Sequence, residues 1–215
     1  KWGHKAIAIT DHGCVQGYPE ACNAAAGKIK IIYGIEDYFI DDIKEPDKTY
    51  KELRSYHQII LVKNHIGLKN LYKLISKSNI DYFYKKPRMP KSEIMKHREG
   101  LIIGSACEAG ELYRAILEER PEQEIMEIAS FYDYLEIQPV GNNRFMIDAH
   151  SDPSAKNPDK NKEFDKITCI EDIENINRKV IAIADKLGKP VVATCDVHFI
   201  DPEDAKYRAI LMAAQ

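Results

Sequence analysis

The chain has 215 residues, 44% of them hydrophobic and 30% charged, with a formal net charge of −3. That length buries one sizeable core, or one domain with appendages, and the charge balance excludes a wholly basic nucleic-acid coat while leaving local basic patches open. No run approaches the roughly 20 apolar residues that span a bilayer, no signal-peptide pattern opens the chain, and five cysteines without a CxxC pair argue for a reducing cytoplasm over a disulfide framework.

In chain order, strands alternate with helices. Residues 6–10 read as a buried strand, followed by a helix near 19–28 with Pro19 and Glu20 in its first turn and Gly27 at its stop. Residues 29–40 are β-rich, with Gly34 as an interruption, and 58–62 read as a third strand. A helix near 67–77 carries Leu68, Leu71, Leu74 and Ile75 on one face. Residues 101–104 and 134–138 read as strands, with helices at 109–119 and 121–131 between them. A long helix near 170–187 leads through Gly188 into a sixth strand at 191–194. Residues 43–51 read as a surface connection and 141–166 as a polar surface loop. The chain opens on Lys1 in what looks like the end of one amphipathic helix and stops at Gln215 inside another. It therefore reads as a piece of a larger polypeptide. Six strands in one right-handed series predict mostly parallel strands with helices outside, in a β/α barrel more than an open sheet.

Several side chains suited to metal binding fall near strand ends. His12 follows the first strand in Thr10-Asp11-His12, and Glu36 lies within the second. Cys107 follows the fourth strand, and Asp196 and His198 follow the last, two residues apart on one side of an extended backbone. Carboxylate, imidazole and thiol together are the donors that Zn, Mn or Fe takes. Glu36 is hard to explain otherwise, because a buried carboxylate without a cation costs several kcal/mol. His57 precedes its strand, so either the strand begins earlier or the residue reaches the centre from inside a barrel. Each residue alone has a bland reading. A lone histidine is more often a surface or hydrogen-bonded residue, and Cys107, Cys22 and Cys169 alone read as small core residues.

Weaker candidates remain. His4 and His97 read as solvated and His65 as a helix cap, while Asp148, His150 and Asp152 have metal-site composition but lie in the polar loop. The run Tyr82 to Arg88, with Tyr84, Lys85, Lys86 and Arg88, interleaves aromatics with cations as single-strand binding surfaces do; an ordinary loop is the equal alternative.

Taken in order, Thr10-Asp11-His12, Gly34-x-Glu36, Tyr56-His57, Gly104-Ser105-Ala106-Cys107 and Cys195-Asp196-Val197-His198 resemble the motifs of the polymerase and histidinol phosphatase (PHP) domain. The stretches at 63–71, 81–90, 131–139, 188–194 and 201–204 narrow the resemblance to the PHP domain of bacterial DNA polymerase III alpha subunits of the PolC type. The resemblance implies a distorted seven-stranded, TIM-like β/α barrel whose first strand, with a His-x-His pair and an Asp, lies outside this chain. It implies residues 1–215 as a single truncated domain with up to three divalent metals (Zn, Mn, Mg or Fe) at one mouth. Glu36 would bridge the first and second metals, His57 and Cys107 would complete the second, Asp196 would serve the first, and His12 with His198 the third. The second metal alone keeps its full set of protein ligands.

The resemblance also implies a catalytic role for Glu36, with Asp11 orienting His12 from behind, in metal-assisted phosphoester hydrolysis of a DNA 3′ end or of pyrophosphate. Such proteins carry a proofreading exonuclease inserted roughly where residues 43–55 lie here. The implied partners are DNA, the remainder of the alpha chain and replisome subunits, with no membrane, in the cytoplasm. Two alternatives stand beside it: a structural accessory domain that braces the polymerase, and a free-standing phosphatase of the histidinol-phosphate kind.

Overall fold

The computed structural model describes residues 3–148 and 164–213. Its centre is the strand β2 (Lys30–Ile40), which every neighbouring strand is placed against. The first half of one edge of β2 pairs in parallel with β1 (Ala6–Ile9), and the second half pairs in parallel with β5 (Lys86–Pro90). Its other edge carries β3 (Tyr56–Val62), antiparallel, and beyond β3 lies β6 (Leu101–Gly104), antiparallel again. A short β4 (Phe83–Tyr84) folds back on β5, and β7 (Leu135–Ile137) pairs in parallel with β8 (Val191–Ala193) as a separate two-stranded sheet. One isolated parallel bridge, Gly104 to Tyr134, links the two sheets.

The fold is a mixed α/β architecture. Among the described residues the sheet is not closed, so the expected seven-stranded barrel is absent from this structure, and β1 is paired along one edge only. Of the expected mostly parallel strands, β3 is the exception, running against both neighbours. The reason is local. Residues 41–55 form turns without a helix, and without a crossover to carry the chain back, the next strand returns antiparallel. Gly34 does not interrupt β2 either. A Cβ there would lie 2.7 Å from the Ile60 carbonyl oxygen, so glycine lets β3 lie close along an unbroken strand.

Helices α1 (Tyr18–Ala25) and α2 (His65–Ile80) flank the sheet, followed by the short α3 (Lys91–Lys96). The second layer contains α4 (Glu111–Leu117), α5 (Glu122–Phe131), a four-residue α6 (Phe145–Asp148) and α7 (Ile170–Leu187). In α7 the buried Ile173, Ile176, Val180, Ile183 and Ala184 repeat at helical spacing, and the left-handed Gly188 ends it. The last helix, α8 (Ala205–Ala213), has no buried residue. The hairpin β4–β5 and α3 went unseen in the sequence because each is too short to show a period. Among the described residues no helix is long and apolar enough to cross a membrane.

Four smaller expectations change. Cys22 and Cys169 are exposed instead of buried, since α1 buries only Tyr18 and Ala25, and Cys169 occupies the N-cap of α7 with its thiol toward Asp172. Asn64, not His65, caps α2, accepting from the Gly67 N–H. His97 is half-buried at the end of α3, its Nδ1 3.0 Å from the Glu93 carbonyl oxygen. Of the loop candidates His150 and Asp152, both lie outside the described residues.

Candidate metal centre

Alternation along β2 puts Glu36 and Tyr38 on one face and Ile35, Asp37 and Phe39 on the other. On β3, His57 stands opposite Tyr38 and Ile59 opposite Glu36, which brings the His57 imidazole onto the Glu36 face. This resolves the question His57 posed. The strand begins at Tyr56 and runs backward, so its start lies near the end of β2 where the other ligands gather.

His12 arrives from the segment after β1. That segment is pinned to β2 by two backbone bonds, from the Glu36 N–H to the Asp11 carbonyl (3.1 Å) and from the Gly13 N–H to the Glu36 carbonyl (2.9 Å). Cys107 comes from the turn after β6, where Ala106 takes a left-handed conformation and His57 donates its N–H to the Ala109 carbonyl. The chain thus folds the β6–α4 turn back onto the start of β3.

The result is a compact donor cluster. His57 Nδ1 lies 2.7 Å from Glu36 Oε1, and His12 Nδ1 lies 3.6 Å from Glu36 Oε2. The Cys107 Sγ is 3.5 Å from Glu36 Oε1 and 3.4 Å from His57 Nδ1. Ligand atoms of His12, Glu36 and His57 all fall within 4.8 Å of one another, a spacing that can hold a metal ion.

Electrostatics point the same way. Burial alone would raise the Glu36 carboxyl, but the hydrogen bond from His57, with His12 and the Cys107 thiol, outweighs it and holds the group below its usual range. Burial lowers the His12 imidazole, with His57 and His198 adding, against the pull of Glu36. The Glu36 carboxylate, with 7% of its side chain exposed, is therefore pushed toward its ionised form and His12 toward its neutral form, and among the described residues no lysine or arginine pairs with the carboxylate. Two imidazoles, a carboxylate and an adjacent thiol around a buried negative charge fit a divalent cation. Burial pushes the Cys107 thiol far up, and a cation is what would draw the thiolate out.

Asp196 and His198 lie at the rim. The His198 ring centroid is 6.1 Å from that of His12, and its Nδ1 lies 2.8 Å from the Asp196 carbonyl oxygen and 3.6 Å from Asp196 Oδ1. Asp196 itself sits in the left-handed region. Asp11 is turned away. Its carboxylate leans on Gly17, where a Cβ would approach Oδ2 to 2.8 Å, and among the described residues no hydrogen bond joins it to His12. The contact expected of it as an orienting group is thus absent from this structure.

Of the aromatic and cationic residues, Arg88 is committed elsewhere, donating to the Tyr50 and Leu53 carbonyls at 2.8 and 2.6 Å. Lys85 and Arg88 stand over the Tyr84 ring, and Lys86 stands over Tyr38.

Two neighbours escaped the sequence reading. Tyr38 stacks on His12 at 5.9 Å with an interplanar angle of 11° and meets the His57 ring edge-on. Glu136 on β7 is buried, bonded by Tyr134 and Thr194, and burial raises its carboxyl with the Glu36 and Asp196 charges adding. The signal for Glu136 was the same one that marked Glu36: a carboxylate inside an apolar strand.

The profile of the PHP domain matches residues 1–148. The chain belongs to the PHP domain family. This PHP chain is 48% identical to the PolC-type DNA polymerase III of Clostridium perfringens over 186 residues, covering 84% of this chain and 12% of that protein. With the enzymes of the same description from Bacillus subtilis and Thermotoga maritima it shares 42% over 167 and 48% over 166 residues. These matches cover 78% and 77% of this chain, and 10% and 11% of the relatives, so it spans about a tenth of their length. A solved structure from Bifidobacterium adolescentis, of a protein proposed to be a metal-dependent phosphoesterase, aligns over 98% of this chain and 86% of that one. Its 12% identity and TM-score of 0.43 are too distant to carry an argument.

Proposed function

We propose that this PHP domain is the phosphoesterase module of a PolC-type DNA polymerase III alpha chain and holds divalent metal on the Glu36 face of its sheet. The observation that carries the reading is the buried Glu36 carboxylate bracketed by His12, His57 and Cys107, with no lysine or arginine paired to it among the described residues. A divalent ion bound there would lower the pKa of a coordinated water and stabilise charge on a phosphate. The chain's own part is to fix the donors. His57 holds Glu36 in one rotamer through Nδ1, β2 and the 10–13 segment hold His12, and the Tyr38 ring covers the flank of both imidazoles.

In this reading Asp196 and His198 are the outer ligands. A further strand beside the open edge of β1, as the PHP resemblance implies, would bring the remaining ligands and close a seven-stranded barrel around residues 1–215. Up to three Zn, Mn, Mg or Fe ions would then sit at its mouth. The 43–55 turns would be the junction where, as the PHP resemblance implies, an exonuclease is inserted. Asp11 would act catalytically only if its carboxylate swings from Gly17 toward His12. DNA, the rest of the alpha chain and replisome subunits in the cytoplasm are the partners.

The test uses the full-length parent chain supplied with Mn or Zn and a single-stranded oligonucleotide, followed by release from its 3′ end. We expect hydrolysis that Glu36→Gln and His57→Ala each lower by at least about a hundredfold. If no hydrolysis depends on these residues, while chelation still lowers the melting temperature, the domain is a metal-stabilised brace and the catalytic reading is wrong.

A further inference from the structure

The hairpin β4–β5 is unusually tight and unusually charged. Phe83 pairs with Pro87 and Tyr84 with Lys86, which leaves Lys85 alone at the apex. Lys85 has φ +61°, in the left-handed region that favours glycine and costs other residues roughly 1–2 kcal/mol. The chain thus carries a lysine at an apex where a smaller residue would be less strained, and strain of this kind gathers where a side chain must be displayed.

The hairpin lies against the donor cluster. Lys86 Nζ lies 4.5 Å from the centroid of the Tyr38 ring, and that ring stacks on His12. Hairpin and site loop touch directly as well: a Cβ on Gly13, the residue after His12, would come within 2.8 Å of Pro87 Cγ. Lys86 therefore stands one aromatic ring away from the donor cluster, and the ammonium of Lys85, at the apex, lies 5.5 Å from the centroid of the Tyr84 ring. Neither ammonium has an ion pair among the described residues, and both residues are exposed. Beside them Phe83 leaves 53% of its surface in solvent.

From this juxtaposition we infer that the β4–β5 hairpin is the strand-guiding arm of the metal centre. Lys86 and Lys85 take backbone phosphates of a single-stranded nucleic acid, and the exposed Phe83 offers a face for a base. The shared chemistry is a phosphate beside the metals, and both a nucleic-acid strand and free pyrophosphate carry it. Phe83 shares one face of the hairpin with Pro87 and Lys86 shares the other with Tyr84, so a strand crossing the hairpin meets cations and an exposed aromatic in turn, and this favours the strand because stacking adds to phosphate contact only where a base is attached. Arg88 has no part in this, since its guanidinium is bound to the Tyr50 and Leu53 carbonyls. The inference rests on the phosphoesterase reading for what happens at the metals, but not for the binding itself.

Two measurements on the full-length parent chain separate the two. The first is photocrosslinking of a single-stranded oligonucleotide bearing 4-thiothymidine near its 3′ end, with the crosslinked peptide located by mass spectrometry. We expect a crosslink within residues 82–90 in the wild type, reduced by about tenfold in Lys85→Ala/Lys86→Ala and spared in Lys69→Ala, a helix-surface control. No crosslink in that segment overturns the inference, whether or not hydrolysis occurs. A crosslink without any hydrolysis leaves the hairpin as a strand-binding arm and sinks the phosphoesterase reading instead.

The second applies where hydrolysis is present. Lys86→Gln, which keeps the stem over Tyr38, should raise KM for the oligonucleotide by about tenfold with kcat within about twofold. The loss on pyrophosphate should be smaller, so that the ratio of kcat/KM for the oligonucleotide to that for pyrophosphate falls several-fold. An equal loss on pyrophosphate would mean that the lysine serves free phosphate, and the strand-guiding role would be wrong.

Discussion

Glu36, His57 and Cys107 stand on strands and a turn packed into the core, whereas Asp196 and His198 follow a three-residue strand and lie near solvent. The contrast begins in the backbone. β2 is paired along its whole length, with β1 over its first four residues, β3 over the middle and β5 at its end, and Ile35 and Phe39 on it and Ile60 on β3 are fully buried. β8 is paired with β7 alone, Val192 is 40% exposed, and Val197 and Ile200 further on are more exposed still. One half of the site is therefore fixed by the fold, and the other by a few hydrogen bonds. The buried half sets the geometry at which a cation is received, and the outer half has to adapt to it.

The most direct way to break this comparison is a matched pair of truncations. Ile60→Ala removes a fully buried side chain at the centre of β3 and should cost about 2–5 kcal/mol. Val192→Ala, on the half-open strand, should cost below about 1 kcal/mol. Hydrogen exchange of the β3 and β8 amides reads both. Equal costs would mean that β8 is as firmly seated as β3 and that the two halves do not differ.

A second prediction concerns what the buried half gives up for its rigidity. Glu111, in the first turn of α4, is 3% exposed and lines a small charged cavity of about 110 Å³ with Asp41, Lys44 and Arg120. Burial raises its carboxyl to about 7, with Asp41 adding, while Lys91 and Arg120 pull it down. Its folded pKa lies above the unfolded value, so the folded state holds the extra proton and loses stability as pH rises from about 4.5 to 7. That loss amounts to about 3 kcal/mol above pH 8. Glu111→Gln should therefore raise the melting temperature at pH 8, with the gain vanishing near pH 4. A gain that is independent of pH would place its origin in packing.

Much of this was readable in the residues. The helix expected near 170–187 is found at Ile170–Leu187 because its apolar positions keep one period over five turns, with Gly188 to stop it. The donors Glu36, His57 and Cys107 announced themselves by chemistry, and the structure brings them within hydrogen-bond distance of one another. What stayed hidden was direction. Whether β3 runs parallel or antiparallel depends on whether the turns at 41–55 conceal a crossover, and no side-chain pattern records that. Sheet closure was over-read for a similar reason: alternation of strands and helices sets a local order, while closure depends on a pairing partner for β1 that the described residues do not supply. The orientation of Asp11 was equally hidden, because adjacency in sequence does not decide which way a side chain turns, and here its Oδ2 lies beside Gly17.

The smallest effect tests how the outer half is held. Besides the strand pairing, the 194–198 segment is tied by the Thr194 N–H to the Ile137 carbonyl, by the Thr194 hydroxyl to Glu136, and by the Asn142 amide to the Cys195 carbonyl at 2.8 Å. Of these three ties the last is nearest in sequence to Asp196, and it is exposed, so Asn142→Ala should cost only about 0.5–1 kcal/mol. Its consequence should be local. Exchange of the amides at 195–198 should accelerate several-fold while those of β3 stay unchanged, since opening there breaks no core contact. Metal affinity should fall by only a few-fold, because Glu36, His12 and His57 keep their places without it. A large fall in affinity would show instead that Asp196 and His198 dominate binding, and that the exposed half, not the buried one, decides how the cation is held.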